Sequence, residues 1–316
     1  MSRKRLKILI WHIHGTYLNC MVQAPHDFYL PIKPGRPEGY GGRGRTFEWP
    51  ENAIEVPAEA VRDLDLDLIV YQTPKNYFQD QYEILSESQR RLPKIYLEHN
   101  TPKGHPTDTL HPIDDPNVLL VHVTYFNAMM WDSGRCQVKI IEHAALPRPN
   151  INYQGDMRKG IVVVNGLKRR NRVAGFDIWL KARERVPLDL VGMGSEEVGG
   201  LGDFPQRELL AREAKYRFFF NPIRYTSLPL AVIEAMTIGM PIVALATTEL
   251  PAVITNGFDG FVSNDIDFLV DRMHLLLKDK SEAERLGQNA KKVAEERFNI
   301  ARFVRDWDEA FRQVVS

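Results

Sequence analysis

One stretch of the sequence reads Tyr216-Arg-Phe-Phe-Phe-Asn-Pro, then Leu228-Pro-Leu-Ala-Val-Ile-Glu-Ala-Met-Thr-Ile, then Pro241-Ile-Val-Ala-Leu. It predicts a buried strand, a helix and a second buried strand, which is the repeating unit of a parallel α/β sheet. We expect the helix to begin after Ser227 as its N-cap, with Pro229 in its first turn. Gly239 and the proline two residues later predict where the helix ends.

Glu234 lies in the middle of this helix, and apolar residues surround it on every face. Such a pattern predicts a helix enclosed by protein, and an enclosed carboxylate needs a partner. The residues leave two alternatives open. One is a structural ion pair or a set of backbone donors, with Arg224 or Arg217 as the cation. The other is a pair of ligand hydroxyls.

The amides of Thr226, Ser227 and Leu228 stand at the predicted helix start. The N–H groups and the positive dipole end of a helix N-terminus bind anions such as a pyrophosphate. A phosphate at this position and sugar hydroxyls on Glu234 would together fit a bound nucleotide. The stretch therefore predicts a ligand site as well as a fold.

Residues 228–244, 250–254 and 256–262 together resemble the donor-site signature of the GT-B retaining glycosyltransferases, of the group 1 or family 4 type. The resemblance implies two facing Rossmann-like domains, each a doubly wound parallel sheet, with the nucleotide-sugar between them. It implies transfer of a sugar from a UDP- or GDP-sugar to a hydroxyl of a glycan, lipid or small molecule. Retained anomeric configuration and a reaction without metal or other cofactor are part of the same expectation.

The signature of that family contains two glutamates separated by seven residues. The second glutamate matches Glu234, whereas the first falls on Thr226. In the family the second glutamate holds the nucleotide ribose, and the first lies near the donor sugar. Nucleotide binding therefore carries over better than the donor-sugar contact does. This difference favours an alternative function, a non-catalytic nucleotide-sugar-binding subunit of a glycosyltransferase complex.

Further site residues follow from the resemblance. His99, at a strand-to-loop exit, is similar to the family's histidine that reaches toward the donor sugar. Lys168 and Arg169 stand in a predicted strand-to-helix loop and would clamp the donor diphosphate, with Arg172 as a third cation. We count His99, Lys168 and Arg169 as the catalytic candidates.

Three more candidates belong to the donor site. Gly192 follows a predicted strand, in a glycine turn that the family places beside the base. Thr248 and Glu249 are candidate sugar contacts after the second strand of the central stretch. Glu249 would partly replace the carboxylate that is missing at Thr226.

The first half of the chain repeats short apolar runs, at residues 7–11, 67–71, 94–97, 117–123 and 137–141. These runs have the rhythm of a parallel sheet with crossover helices. Proline and glycine interrupt the rhythm at residues 145–156, so we place a first domain at 1–152 and a second at 153–316. The resemblance implies that the final helix packs back on the first domain.

His12 and His14 are two residues apart on the first predicted strand, so that both would point the same way. A metal-dependent hydrolase built on this pair is the second alternative function. Local spacing supplies no third ligand, and an interior pair bonded to backbone carbonyls explains the same pattern. Our main interpretation therefore assigns no metal site.

The composition limits the partners. Lysine plus arginine and aspartate plus glutamate both number 41, so no basic excess predicts a nucleic-acid partner. Two cysteines without metal-type spacing predict a reducing compartment. The first apolar run is too short for a membrane span, so we expect a cytoplasmic protein with at most peripheral contact at the inner membrane face. Four cations near the start, Arg3, Lys4, Arg5 and Lys7, fit either such contact or a solvated strand end.

Overall fold

The computed structural model describes residues 4–316. The chain divides into two compact units: the first comprises the residues up to Ala144 together with Ile300–Ser316, and the second is Ala145–Asn299. Each unit contains one sheet, and every strand pairing in both sheets is parallel. The α/β class with two parallel-sheet domains, which the sequence predicts, is confirmed.

The sheet of the first unit has seven strands in the order β3-β2-β1-β4-β5-β6-β7. They are β1 (Lys7–Ile10), β2 (Asp27–Ile32), β3 (Ala53–Pro57), β4 (Leu68–Tyr71), β5 (Lys94–Glu98), β6 (Val118–His122) and β7 (Gln137–Ile140). Three α-helices lie between them: α1 (Gly15–Met21), α2 (Gln81–Ile84) and α3 (Tyr125–Met130). The sequence predicted five of these strands and missed β2 and β3. Each of the two contains a proline, Pro31 in β2 and Pro57 in β3, and a proline within an apolar run argues against a strand in sequence.

The sheet of the second unit has five strands in the order β12-β11-β10-β8-β9. They are β8 (Met157–Val163), β9 (Leu188–Val191), β10 (Tyr216–Asn221), β11 (Ile242–Leu245) and β12 (Gly260–Ser263). The helices are α4 (Leu167–Ala174), α5 (Phe176–Arg183), α6 (Gln206–Glu213), α7 (Leu230–Thr237), α8 (Ile266–Lys278) and α9 (Lys280–Arg297). The chain leaves β8 toward β9 and returns to β10 on the other side. Ligands of such sheets bind at this switch point, at the carboxyl ends of the strands.

Two apolar cores cover the faces of the second sheet. On one face, α5 and α8 supply Trp179 and Leu269 among others, and on the opposite face α7 and α9 supply Ile233 and Ala290. A Cβ at Gly287 of α9 would lie 2.0 Å from the carbonyl oxygen of Gly239. Glycine at this position therefore permits the close packing of α9 against the end of α7.

The last helix, α10 (Ile300–Val315), belongs to the first unit. Its residues Phe303, Trp307 and Phe311 are fully buried, and the Trp307 indole N–H donates to the Tyr17 hydroxyl of α1 at 3.1 Å. The Phe311 ring lies 6.0 Å from the Phe28 ring of β2, measured between centroids. These aromatic side chains are therefore part of the core of the first unit, and the helix completes this unit although it follows the second in sequence.

The basic residues near the start form ion pairs with carboxylates of the same unit. Lys4 pairs with Asp67, Arg5 with Asp27 and Lys7 with Asp65. Arg3 lies outside the described residues. Among residues 4–316, no helix is both long and apolar enough to cross a membrane.

We expect Trp307→Ala to lower the free energy of unfolding of the first unit by about 3–5 kcal/mol, since it leaves a large cavity against α1. The measurement is urea denaturation, which is monitored by circular dichroism because this signal does not depend on the tryptophan that the substitution removes. Arg305→Ala on the same helix, where the side chain is 63% exposed, is the control and should change stability by less than about 0.5 kcal/mol. Equal effects of the two substitutions would contradict the packing of α10.

Candidate functional site

The predicted start of the helix after β10 is wrong. The helix begins at Leu230, and its N-cap is Pro229, not Ser227. A residue that precedes proline is disfavoured in the helical region, so Leu228 cannot enter a helix. Thr226, Ser227 and Leu228 therefore lie in an irregular segment ahead of the helix, where Ser227 and Leu228 are buried.

Glu234 is half-buried on α7, and its carboxylate accepts a hydrogen bond from the Gln206 side-chain amide of α6. The ion-pair alternative is wrong for both arginines. Arg217 donates instead to backbone carbonyl oxygens of Gly155, Leu276 and Leu277. Arg224 forms a bidentate pair with Asp177 at 2.5 and 2.7 Å. A neutral amide, not a cation, is thus the hydrogen-bonding partner of Glu234.

The environment of Glu234 disfavours its charge. Burial raises the pKa of Glu234 to about 7, although the Gln206 hydrogen bond and the Arg148 charge act in the opposite direction. Glu213, at the end of α6, is fully buried. Its burial, and to a smaller degree the charge of Glu234, hold the pKa of Glu213 well above its usual range. Burial therefore disfavours the charged form of both carboxyl groups of the site.

The predicted basic loop after β8 is a helix. Residues Leu167–Ala174 form α4, with Gly166 in the left-handed conformation as N-cap and a kink at Asn171. Lys168 and Arg169 are exposed in its first turn, and Lys168 lies 3.6 Å from Glu197. The third predicted cation, Arg172, pairs with Asp177 at 2.9 Å.

These cations lie where positive charge is unfavourable. Lys168, Arg169 and Arg170 are consecutive, and the kink at Asn171 limits the helical segment that contains them to one turn. Arg170 is in the same turn, and burial and the neighbouring charge of Arg169 lower the pKa of Arg170. The first turn of α4 is therefore a region of concentrated positive potential, suited to an anion.

Gly192 brings the ends of β8 and β9 together. Its φ is +130°, and a Cβ there would lie 2.7 Å from the carbonyl oxygen of Val164, so only glycine fits. The next residue, Met193, donates its backbone N–H to the Asn165 side chain at 2.9 Å and accepts from Gly166 N–H at 2.8 Å. The glycine turn therefore fixes the beginning of α4 at the carboxyl edge of the sheet.

Thr248 and Glu249, which are adjacent in sequence, contact different residues of the second unit. The Thr248 hydroxyl donates to the carbonyl oxygen of Ser227 at 3.3 Å, so Thr248 lies against the segment that precedes α7. Glu249 is buried and lies 3.5 Å from the guanidinium of Arg297. An arginine thus already holds the carboxylate that we considered as a replacement at Thr226.

His99 lies in the first unit, buried at the end of β5. Its Nε2 is 3.0 Å from the Gln72 side-chain oxygen, and Gln72 in turn donates its amide to the carbonyl oxygen of Trp11. This second bond fixes the amide orientation, so Gln72 presents only its oxygen to His99. Neutral His99 therefore carries its proton on Nε2, which leaves Nδ1 as an acceptor.

Aromatic rings surround His99. The His14 ring lies 4.0 Å away and the Tyr17 ring 4.8 Å away, measured between centroids. Burial, and to a smaller degree His14 and His143, hold the pKa of His99 well below its usual value. His99 is therefore neutral at physiological pH and can accept, not donate, at Nδ1.

The alternative of a metal-dependent hydrolase needs further ligands beside His12 and His14. His12 contacts the carbonyl oxygen of Gly42 and the ring of Trp49, while His14 packs on His99. Within residues 4–316, no group of three or more His, Cys, Asp or Glu side chains is placed to share a metal ion. The donor set that a hydrolytic metal needs is thus missing from the described part of the chain.

Several residues of the site escaped the sequence analysis. Arg148, Gln206 and Glu213 surround Glu234, and Gln72 orients His99. None of them stands in a recognisable motif. Each lies between 21 and 86 residues from the residue it affects, Glu234 or His99, in sequence. No local pattern could have paired them.

Residues 196–293 match the family model described as Glycosyl transferases group 1. The match includes Gln206, Glu213, the segment before α7, and Glu234. Among curated proteins, none matches the sequence significantly.

Solved structures extend the similarity to the whole chain. Sucrose-phosphate synthase from Thermosynechococcus elongatus is 15% identical, with 98% of this chain and 99% of that chain covered and a TM-score of 0.71. HepE from Anabaena in complex with UDP is 14% identical, with coverage of 98% and 100% and a TM-score of 0.67. The O-GlcNAc transferase of Thermobaculum terrenum is 15% identical, with coverage of 99% and 68% and a TM-score of 0.63.

The fold is that of the GT-B glycosyltransferases. Two parallel-sheet units and a C-terminal helix that packs in the first unit are the architecture that the sequence resemblance implied. In this GT-B chain the second unit contains the group 1 match, and the Glu234 carboxylate lies within it.

We expect ¹⁵N NMR of this GT-B protein at pH 7 to show His99 as the neutral tautomer protonated at Nε2. Gln72→Leu removes the acceptor of that proton, so the Nδ1–H tautomer should become populated. Gln79→Leu, at an exposed position of the same unit, is the matched control and should leave the spectrum of His99 unchanged. An Nδ1–H signal in the unmodified protein would contradict the assignment.

Proposed function

We propose that this protein is a glycosyltransferase that moves a sugar from a nucleotide diphosphate-sugar to a hydroxyl acceptor. The observation that carries the proposal is Glu234: a half-buried carboxylate with a neutral partner, on the helix after β10, inside the group 1 match. The proposal assigns this carboxylate to the hydroxyls of the nucleotide ribose. Two hydroxyl donors on one carboxylate satisfy a group that a structural arginine does not.

The cations of α4 are assigned to the diphosphate. Lys168 and Arg169 are exposed in the first turn of α4, and an anion bound there would offset the positive charge of the three consecutive cations at residues 168–170. The same charges would stabilise the nucleoside diphosphate as it departs, and preorganised electrostatics of this kind is usually the largest catalytic contribution. Gly192, at the neighbouring strand end, is assigned to the wall beside the base.

The proposed transfer retains the anomeric configuration and needs no metal. The bond between the anomeric carbon and the phosphate oxygen breaks as the acceptor oxygen bonds to that carbon. The acceptor proton passes to the departing phosphate. His99 is assigned as a hydrogen-bond acceptor for a donor-sugar hydroxyl, because its bare Nδ1 cannot donate.

The nucleotide to test first is UDP, because structures of HepE are in complex with UDP and UDP-glucose. GDP is the second. The acceptor class proposed is a hydroxyl of a glycan, a lipid-linked glycan or a small molecule, and polysaccharide synthesis at the cytoplasmic side of a membrane is the setting proposed.

A second candidate function is a subunit that binds the nucleotide-sugar without turnover. Two observations favour it. Thr226 stands where the family has its first glutamate, and Glu249, the replacement that we considered from the sequence, lies against Arg297. The donor sugar would then lack a carboxylate contact from this segment.

We expect Glu234→Gln to weaken uridine and UDP binding by roughly tenfold or more, because a neutral amide replaces a charged acceptor of two hydroxyl donors. Isothermal titration calorimetry measures it. Glu208→Gln, on exposed α6 surface, is the matched control and should bind as the unmodified protein does. Loss of affinity for UDP but not for uridine would contradict the ribose assignment.

The pH dependence of uridine binding has a fixed sign. Because burial raises the pKa of Glu234 to about 7, the carboxylate is charged above pH 7 and neutral below it. Hydroxyl donors favour the charged form, so affinity should be highest above pH 7 and fall as the pH drops toward 6. Glu234→Gln should lose this dependence.

Turnover separates the two candidate functions. We expect the protein to release UDP from UDP-sugars when glycan or lipid-linked hydroxyl acceptors are added, as measured by a coupled UDP assay. Nucleotide binding without turnover across donors and acceptors would favour the subunit instead. Thr226→Glu then tests whether the residue at this position limits the reaction.

A further inference from the structure

A chain of two hydrogen bonds ends on Glu234. The Arg148 guanidinium donates to the Gln206 side-chain oxygen at 3.1 Å, and the Gln206 amide nitrogen donates to Oε1 of Glu234. All three side chains belong to the second unit and are half-buried. Arg148 precedes the sheet, Gln206 opens α6, and Glu234 is on α7, so three separate segments meet here.

The direction of this chain is fixed by chemistry. A guanidinium has only donors, so Arg148 compels Gln206 to turn its oxygen toward the arginine. The amide NH₂ of Gln206 must then face Glu234. A glutamine amide without such a neighbour has two orientations, of which one would place oxygen against oxygen.

The surroundings make an oriented donor necessary. Glu213 on α6 faces Glu234, is fully buried, and has a side-chain oxygen without a hydrogen-bond partner among residues 4–316. Arg148 is the nearby cation, and it contacts Gln206. On α9, which also packs on α7, Lys291 donates to Asn152 and Arg297 pairs with Glu249. The Gln206 amide is therefore the donor that supports a negative charge on Glu234.

We propose that Gln206, oriented by Arg148, is a positioning residue that keeps Glu234 charged and turned toward the nucleotide ribose. The inference rests on the proposed function, because it assigns a role in nucleotide binding. Gln206 acts through Glu234 and does not itself contact the ligand. One carboxylate oxygen is held by the amide, and the rest of the carboxylate remains for the ribose diol.

The shifted pKa of Glu234 supports this role. Burial raises the pKa to about 7, and the Gln206 hydrogen bond opposes that rise. Loss of the bond should raise the pKa further, so that Glu234 becomes mostly neutral at pH 7. Nucleotide affinity should then fall at pH 7 and recover at higher pH, where the carboxylate ionises again.

The test compares Gln206→Leu with Arg207→Leu, an exposed neighbour on the same helix. Uridine affinity is measured by calorimetry at pH 6, 7, 8 and 9. We expect Gln206→Leu to bind roughly tenfold more weakly at pH 7, with the loss shrinking by pH 9, whereas Arg207→Leu follows the unmodified protein. A loss of the same size at every pH, or no loss, would overturn the proposal.

A second measurement is independent of nucleotide binding. Carboxyl ¹³C NMR follows the titration of Glu234 in the ligand-free protein, and the midpoint should move to higher pH in Gln206→Leu. An unmoved midpoint overturns the proposal whether or not nucleotides bind. If unmodified protein binds neither uridine nor UDP while the midpoint moves, the proposed function fails and the control of Glu234 by Gln206 stands.

A double-mutant cycle tests the role of Arg148. Arg148→Met alone should weaken uridine binding in the same direction as Gln206→Leu but less. Because the arginine acts partly through the glutamine, the combined variant should lose less than the sum of the two effects. Full additivity would remove Arg148 from the proposal.

Discussion

The second unit places the carboxylate of Glu234 among apolar groups, where burial makes its negative charge unfavourable. Glu234 is the one charged residue of the largely apolar helix α7, and such a group must be neutralised, protonated or hydrogen-bonded. Here the hydrogen-bonding partner is the neutral Gln206 amide, and the two arginines that we considered from the sequence bind other groups. Arg217 satisfies three backbone carbonyls, and Arg224 holds Asp177. A direct arginine pair would lower the pKa of Glu234 and occupy the oxygens that a ligand needs.

Opposite charges are concentrated at different places of the same sheet. Glu213 and Glu234 bring acidic groups to the contact of α6 and α7, whereas Lys168 and Arg169 bring cations to the start of α4. Burial raises the pKa of both carboxyl groups, and burial together with the charge of Arg169 lowers the pKa of Arg170 beside the exposed cations.

The first unit also buries titratable side chains, and there they are uncharged. His99 and His143 are buried, and burial keeps both imidazoles uncharged at neutral pH. The Gln72 amide selects the tautomer of His99, as the Gln206 amide selects the orientation available to Glu234. In both units a glutamine with a fixed amide, and not a charged residue, sets the state of a candidate site residue.

Apolar periodicity and a contiguous motif are local, so they were enough to predict two parallel sheets, the helix with Glu234 and the similarity to GT-B glycosyltransferases, although not the strands β2 and β3. The N-cap predicted at Ser227 was wrong, and Pro229 already disfavours a helical residue before it. Only the tertiary structure decided that Gln206 and not an arginine meets Glu234, that Glu249 faces Arg297, and that Gln72 orients His99. The physical reason is that these bonds join distant segments, and their geometry depends on how helices pack against the sheets.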